Sequence, residues 1–250
     1  MRNEGHCDIS SSLNCQKRCV DCSHLSPLLK PWYLAPEDLA RDLAAIKPFM
    51  HFRVLQMVGG EPTLNKRLVE LIHVARASGV GDSVTVITNG ELLPRMSDDF
   101  WKAIDWLQLS IYPTLKPEVI ALAEAKCKEF GKPFYSTLFT QFYQQFREPH
   151  NDGAHFATCH WRNSCWQIHA GHLGFCPQSL FMPKTFLGLE EFTDALALEG
   201  LTEEKLDAFL NRKEPLESCK MCMANELKAR PWAEATGKDD WLQKSQLKTP

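Results

Sequence analysis

The sequence predicts an α/β fold built on a parallel sheet, because segments typical of strands and of helices alternate over its first about 140 residues. The strand segments are short and rich in Val, Ile and Leu, whereas the helix segments repeat apolar residues three and four positions apart. With 250 residues, 44% of them hydrophobic, the chain is long enough to bury a core. Alternation of this kind gives right-handed βαβ units, whose parallel sheet can curve toward a barrel.

The elements follow one another in a regular order. Five strands are predicted, at His6–Leu13, Arg53–Val58, Ser83–Thr88, Trp106–Tyr112 and Phe134–Gln141. Four helices are predicted between them, at Pro36–Lys47, Asn65–Ser78, Ser97–Ile104 and Pro117–Phe130. Pro36 suits the first turn of a helix because it has no N–H to leave unpaired, and Ser97 suits an N-cap. Gly79 and Gly131 end two of the helices, since glycine readily adopts the left-handed backbone of a C-cap.

The alternation stops near residue 145, which predicts a domain boundary. His, Trp, Gly and Cys crowd the stretch from His150 to Pro177, and one more helix is predicted at Glu203–Arg212. We therefore expect a barrel-like domain at residues 1–148, a small α+β domain at residues 149–232 and a polar tail at residues 233–250.

The charge balance excludes one class of partner. The chain has 28 basic and 31 acidic residues, a net charge of -3 and no basic run. Binding to nucleic acid regardless of sequence requires clustered Lys and Arg, so we expect a small polar substrate instead. Apolar runs stay short of the about 20 residues that cross a bilayer, and the first residues lack the apolar core of a signal peptide. These features predict a cytoplasmic protein that does not contact a membrane.

Ten cysteines are unusual for such a protein, because in a reducing compartment clustered cysteines indicate metal or redox chemistry. Cys15, Cys19 and Cys22 follow the first strand with the spacing C-x3-C-x2-C. A zinc site normally has four protein ligands, and His24 is the candidate for the fourth. A 4Fe-4S cluster held by three cysteines instead leaves one iron open to another ligand.

Three further motifs follow later strands. They are VGGEP at residues 58–62, VITNG at 86–90 and QLSIY at 108–112. Loops at the carboxyl ends of barrel strands converge on one site, so these motifs and the cysteine loop are expected to face one cavity. Gly59 and Gly60 allow a backbone to approach a ligand closely, and the Glu61 carboxylate can accept from an ammonium group.

With CQKRCVDC, VGGEP, VITNG and QLSIY in this order, residues 5–140 resemble the radical S-adenosylmethionine (SAM) superfamily. The resemblance implies a partial (β/α)6 barrel in which the three cysteines hold a 4Fe-4S cluster whose open iron binds SAM. It also implies that Gly59, Gly60 and Glu61 contact the methionine part of SAM, and that Thr88, Asn89 and Ser110 lie near its ribose or carboxylate. One position departs from the family, because Asp21 precedes the third cysteine where an aromatic residue is common.

A second cysteine group lies in the C-terminal part. Cys165, Gly171 and Cys176 are spaced C-x5-G-x4-C, and Cys219 and Cys222 form a C-x2-C pair. Two such pairs suit tetrahedral zinc. They also resemble the twitch, or half-SPASM, domain that holds an auxiliary 4Fe-4S cluster after some radical SAM barrels. That resemblance implies four ligands, Cys165, Cys176, Cys219 and Cys222, with Cys159 as the alternative for one of them.

The two resemblances imply a radical SAM oxidoreductase with two 4Fe-4S clusters, SAM and a flavodoxin- or ferredoxin-type reductant. A four-cysteine auxiliary cluster suits electron transfer, which favours dehydrogenation, and the chain is similar in size and cluster order to radical SAM dehydrogenases of amino-cyclitol alcohols. We therefore expect a sugar-like or cyclitol-like substrate.

Three alternatives to the dehydrogenase stay open. One is an epimerase, with Cys7 or Cys127 as the hydrogen donor. The others are a peptide-modifying radical SAM enzyme and a non-catalytic zinc or electron-transfer protein. The zinc or electron-transfer protein gives no reason for glycine pairs and Thr-Asn at strand ends.

Overall fold

The structure is a computed structural model, and it describes residues 1–223, 226, 228–237 and 239. The strands are β1 (Arg2–Ser12), β2 (Met50–Gly59), β3 (Gly81–Thr88), β4 (Trp106–Ile111), β5 (Phe134–Leu138), β6 (Gln141–Tyr143), β7 (Trp166–His169), β8 (His172–Gly174), β9 (Leu196–Ala197) and β10 (Ala229–Pro231). The α-helices are α1 (Pro36–Ile46), α2 (Leu68–Ser78), α3 (Asp98–Ala103), α4 (Pro117–Glu129), α5 (Pro177–Phe186) and α6 (Glu203–Leu210).

One sheet of eight strands forms the framework, in the order β5-β4-β3-β2-β1-β7-β8-β9. The strands from β5 to β7 in that order all run parallel, and β8 pairs antiparallel with both β7 and β9. The predicted α/β class with a mostly parallel sheet is confirmed. The sixth parallel strand is β7, which pairs with β1, so the second half of the chain extends the sheet at the opposite side from β5.

The predicted elements are present with shifted ends. β1 starts at Arg2 because its first residues already pair with Met50 and the residues after it on β2. The helix predicted from Asn65 starts at Leu68, since the Asn65 amide nitrogen donates to the carbonyls of Ser11 and Leu34 and its oxygen accepts from the backbone of Arg67.

Two further predicted ends are wrong. The strand predicted at Phe134–Gln141 divides into β5 and β6, and β6 pairs with β10 in a separate two-stranded sheet. The helix predicted at Glu203–Arg212 ends at Leu210, and Thr202 caps it as expected by accepting from the backbone of Lys205. None of the helices in the described ranges is long and apolar enough to cross a membrane.

The two faces of the sheet differ in chemistry. Side chains of a strand alternate between faces, so Cys7 and Ile9 of β1 join the buried apolar core. Asp8 and Ser10 point to the opposite face, where Asp8 lines a cavity. The sheet therefore has one face of ordinary hydrophobic packing and one that carries buried polar groups.

Candidate active site

A cavity of about 510 Å³ opens at the carboxyl ends of the parallel strands. Its walls contain the three cysteines of the first group together with most residues of the later motifs. The predicted residues found there are Cys15, Cys19, Cys22, Gly59, Gly60, Thr88, Asn89 and Ser110. The structure therefore brings together residues from the ends of four strands. The outermost of these residues, Cys15 and Ser110, are 95 positions apart in the sequence.

N–H groups surround the sulfur atoms of this cysteine group. The Asn89 side-chain amide donates to Cys15 Sγ at 3.7 Å, and the Trp232 indole N–H donates to Cys19 Sγ at 3.2 Å. Burial raises the pKa of the Cys15 and Cys19 thiols to about 12. Because N–H donors favour the charged sulfur, and a coordinating metal deprotonates a thiol, this environment fits thiolates bound to iron.

The glycine pair fixes the cysteine loop to the end of β2. A Cβ atom on Gly59 would lie 2.1 Å from the carbonyl oxygen of Ser12, and a Cβ on Gly60 would lie 2.2 Å from that of Asn14. The Gly60 N–H donates to the Ser12 carbonyl at 2.7 Å. Only glycine permits this approach, so the pair holds the backbone next to Cys15 as well as lining the cavity.

Glu61 is not part of the cavity wall. Its carboxylate is buried, and it accepts hydrogen bonds from the Thr63 hydroxyl and backbone, from the Thr88 hydroxyl at 2.6 Å and from the Asn89 backbone at 2.8 Å. Burial raises the pKa of this carboxyl, and these four donors oppose the shift. The structure gives Glu61 the role of fixing the Thr88-Asn89 turn, and its contact with the methionine part of SAM stays a prediction.

Lys17 is a cavity residue to which the sequence analysis gave no role. Its side chain is only 4% exposed, forms an ion pair with Glu91 and donates to the Thr114 hydroxyl at 2.8 Å. The ammonium also faces the rings of Tyr112 and Trp232, at 5.6 and 5.9 Å from their centroids. The local signal was a basic residue inside the cysteine loop, but its burial depends on three distant segments.

Asp8 is a second residue that the sequence analysis missed. It lies on β1 in the cavity wall, 8% exposed, and its Oδ1 has no hydrogen-bond partner within the described residues. Burial raises its pKa from 3.8 to about 7. Its cross-strand neighbours are the neutral amides of Gln56 and Gln167, so no basic side chain is paired with it in the sheet. A carboxyl within a strand whose alternate residues are apolar was the available signal.

Asp21 marks the departure from the family pattern noted in the sequence. It lines the cavity in a left-handed backbone conformation with φ of 60°, and its carboxylate is buried. Burial raises its pKa to about 6, while Arg230, whose Nη1 lies 3.6 Å from Oδ2, opposes that shift. This part of the wall therefore carries a carboxyl in place of an aromatic ring.

The second cysteine group surrounds a smaller pocket. Cys159, Cys176, Cys219 and Cys222 line it together. Cys165, which was predicted as a ligand, is not among the residues that line this pocket, but its thiol interacts electrostatically with Cys176 and Cys159 as well as with Asp8 and Cys7. Within the described ranges, no three His, Cys, Asp or Glu side chains are close enough to hold a single metal ion.

Neither of the two candidate hydrogen donors is among the residues that line the cavity. Cys7 is fully buried on the helix-facing side of β1, because strand alternation turns it away from Asp8. Cys127 is buried on α4 within the same apolar core. The cysteines that line the cavity, within the part of the chain that the structure describes, are Cys15, Cys19 and Cys22.

Comparison with known proteins gives one family. The model of the radical SAM superfamily matches residues 9–132. A GTP 3',8-cyclase of Chlorobaculum tepidum is 32% identical over 98 residues, which are 39% of this chain and 29% of that protein. An S-adenosylmethionine-dependent nucleotide dehydratase of Lacinutrix mariniflava is 29% identical over 140 residues, which are 52% of this chain and 28% of that protein. The chain thus spans less than a third of the length of these relatives.

Solved structures show the likeness of fold over a larger share of the chain. The crystal structure of BtrN in complex with AdoMet and 2-DOIA superposes with a TM-score of 0.55 and 13% identity, covering 86% of this chain and 84% of that chain. An open conformation of BtrN superposes with a TM-score of 0.53 and 11% identity, and the match covers 88% of this chain and 92% of that chain. At these identities the match establishes the fold alone.

Proposed function

Since this chain carries a radical SAM domain, matched over residues 9–132, we propose that it is a dehydrogenase of a small polar, sugar-like or cyclitol-like metabolite. Domains of this superfamily bind SAM and a 4Fe-4S cluster. Cys15, Cys19 and Cys22 are the residues that would hold the cluster, and the N–H donors around two of their sulfurs fit that role. When bound, the cluster and SAM supply a 5′-deoxyadenosyl radical that takes a hydrogen atom from carbon, with an electron from a flavodoxin- or ferredoxin-type reductant.

Five of the six residues proposed to bind SAM line the cavity with the cysteines, and the sixth, Glu61, is buried outside the cavity wall. Gly59 and Gly60 present backbone on one side, and Thr88, Asn89 and Ser110 present polar groups from the ends of β3 and β4. Lys17 and Asp8 line the same cavity at positions that the SAM contacts leave unassigned. A cavity with both an ammonium and a carboxyl group in its walls suits a substrate with several polar substituents.

The observation that carries dehydrogenation is the pocket lined by four cysteines, Cys159, Cys176, Cys219 and Cys222. A 4Fe-4S cluster with four thiolate ligands has no open iron for substrate, so its natural role is to accept an electron. Epimerisation instead needs a thiol that returns hydrogen inside the cavity. Cys7 and Cys127 lie in the apolar core, so the structure favours oxidation.

Oxidation of an alcohol to a carbonyl removes one hydrogen atom from carbon, one proton from the hydroxyl and one electron. Asp8 is the cavity group that we propose takes the proton, because its Oδ1 has no hydrogen-bond partner among the described residues and its pKa of about 7 lies near the usual working pH. The thiols of Cys7 and Cys165 interact electrostatically with Asp8. We assign Asp8 the role of general base.

A nucleotide is the second candidate substrate. The similar proteins include GTP 3',8-cyclases and a nucleotide dehydratase. The aligned stretches cover 28% to 36% of those proteins, so most of each nucleotide enzyme has no counterpart in the alignment. This similarity therefore supports the radical chemistry more than it supports a nucleotide.

The test is anaerobic reconstitution with iron and sulfide, followed by reaction with SAM, dithionite and one of three probes: 2-DOIA, myo-inositol or GTP. We expect 5′-deoxyadenosine together with a product two hydrogens lighter than a cyclitol probe. In deuterated water, a product of unchanged hydrogen count that carries deuterium on carbon would instead show epimerisation. Conversion of GTP alone would establish the nucleotide alternative, and iron-loaded protein that never yields 5′-deoxyadenosine would contradict the proposal.

Asp8→Asn is expected to stabilise the protein in a pH-dependent manner. The folded state keeps the Asp8 proton up to about pH 7, whereas the unfolded chain loses it near pH 4. The free energy of unfolding therefore falls as pH rises through this window, by up to about 4 kcal/mol for a shift of about three units. The melting temperature of the variant should exceed that of the wild type at pH 8 and approach it at pH 4.

Asp99→Asn, at a position whose side chain is 76% exposed on α3, is the control and should show no such trend. The same Asp8→Asn variant should still form 5′-deoxyadenosine but give roughly 100-fold less oxidised product per turnover, the usual contribution of a general base. A stability difference that is equal at both pH values, together with unchanged product, would exclude this role.

A further inference from the structure

The chain returns to the first cysteine loop near its C-terminus. We call residues 229–235 the C-terminal strap. Its first three residues are β10, which pairs with β6, and its last ones run alongside the cysteine loop. The Val20 N–H donates to the Ala233 carbonyl at 2.9 Å, and the Arg18 N–H donates to the Glu234 carboxylate at 2.6 Å. The strap is therefore held by both sheet pairing and direct contacts with the loop.

Trp232 lies in the middle of this strap with its side chain directed at the cysteine loop. Its indole N–H donates to Cys19 Sγ at 3.2 Å, and its backbone N–H donates to the Thr140 carbonyl at 3.0 Å. Its ring packs against Tyr112, with centroids 5.9 Å apart, and faces the Lys17 ammonium at a similar distance. These contacts fix the direction of the N–H from several sides.

A hydrogen bond to a ligating sulfur affects the electronic balance of an iron-sulfur cluster. The donor stabilises negative charge on the sulfur, and the reduced cluster carries more negative charge than the oxidised one. The bond therefore favours reduction.

We propose that Trp232 is a positioning residue that raises the reduction potential of the cluster bound by Cys15, Cys19 and Cys22, through its N–H···S bond to Cys19. The inference rests on the proposed ligand role of these three cysteines and is independent of the substrate and of the second cysteine group. Docking of the strap is then required for the normal potential. The donor comes from a segment 213 positions away, so the C-terminal part of the chain controls how readily the barrel cluster is reduced.

The test compares wild type with Trp232→Phe, which keeps an aromatic ring and removes the N–H. Reconstituted protein is titrated anaerobically against redox mediators without substrate, and the cluster is followed by electron paramagnetic resonance. The signal that changes when SAM is added identifies the first cluster. At a fixed potential the ratio of reduced to oxidised cluster should fall about fivefold in the variant, which is roughly 40 mV at about 59 mV per tenfold for one electron.

Trp106→Phe on β4, a tryptophan outside the cavity wall, is the matched control and should leave the potential unchanged. Trp232→His keeps a ring N–H and should recover part of the shift. An unchanged potential in Trp232→Phe at full iron content would overturn the proposal, and so would a potential that falls equally in Trp232→His. Failure to form 5′-deoxyadenosine in the wild type would count against the proposed function and would leave this measurement intact.

Discussion

Gly60→Ala is expected to abolish iron binding at the first cysteine group and leave the second group loaded. The new Cβ would meet three backbone atoms within 2.8 Å, the nearest being the Asn14 carbonyl oxygen at 2.2 Å. Backbone atoms cannot rotate away as side chains do, so the segment next to Cys15 has to shift. The N–H of Glu61 donates to the same Asn14 carbonyl, so this hydrogen bond is lost as well.

The measurement is iron per protein after reconstitution, together with 5′-deoxyadenosine formation. We expect iron to fall from about eight to about four per chain, and 5′-deoxyadenosine to become undetectable. Gly5→Ala on β1 is the control, because a Cβ there meets nothing closer than the Arg53 side chain at 3.7 Å. If Gly60→Ala binds all its iron and cleaves SAM normally, the close packing described here does not determine the position of Cys15.

Gly60 also shows how far sequence reasoning reached at this site. The VGGEP pattern indicated a loop with unusual backbone needs at a strand end, and the structure places that loop in the cavity. The sequence indicated that the glycines let a ligand approach the backbone, but it did not indicate their close contacts with other backbone segments. Their tightest neighbours are Ser12 and Asn14, which belong to another strand end, and a contact between distant segments leaves no local signature.

The alternation of strands and helices predicted a parallel sheet, but it did not predict that β7 extends this sheet beyond β1. Periodicity located the first five strands because each carries its own apolar pattern. The pairing of β7 with β1 depends on the tertiary register of Cys7 with Trp166, which no periodicity records. The role of Asp8 was missed for the same reason, since only the register shows that it faces the cavity between two neutral glutamines.

The first residues of the predicted C-terminal tail contact the cysteine loop. Residues 233–250 were expected to form a polar tail, yet Ala233, Glu234 and Ala235 contact the cysteine loop through backbone and side-chain hydrogen bonds. Polar residues at a chain end usually do remain solvated, but here backbone pairing, which is insensitive to side-chain polarity, holds the segment. Residues 238 and 240–250 lie outside the described residues, and for them the tail stays a prediction.

Cys159→Ser is expected to remove the iron of the second cysteine group, whereas Cys165→Ser is expected to retain it. Cys159 lines the pocket with Cys176, Cys219 and Cys222, and Cys165 does not. Cys165 precedes β7, whose pairing with β1 places it near Asp8, and its thiol also interacts electrostatically with Cys159 and Cys176. The pattern C-x5-G-x4-C implied Cys165 as the first ligand with Cys159 as the alternative, and these two variants distinguish between them.

Each variant replaces one sulfur by oxygen, and the two positions are six residues apart in the sequence. Each variant is therefore the control for the other. Cys159→Ser should lose about four irons per chain and still cleave SAM, but its oxidised product per 5′-deoxyadenosine should fall at least 100-fold, because the substrate radical then has no electron acceptor. Cys165→Ser should match wild type in both measurements. If instead Cys165→Ser loses the iron and Cys159→Ser keeps it, Cys165 is the ligand. If both variants keep their iron and product, neither is a ligand, and the electron must leave the substrate by a route other than this pocket.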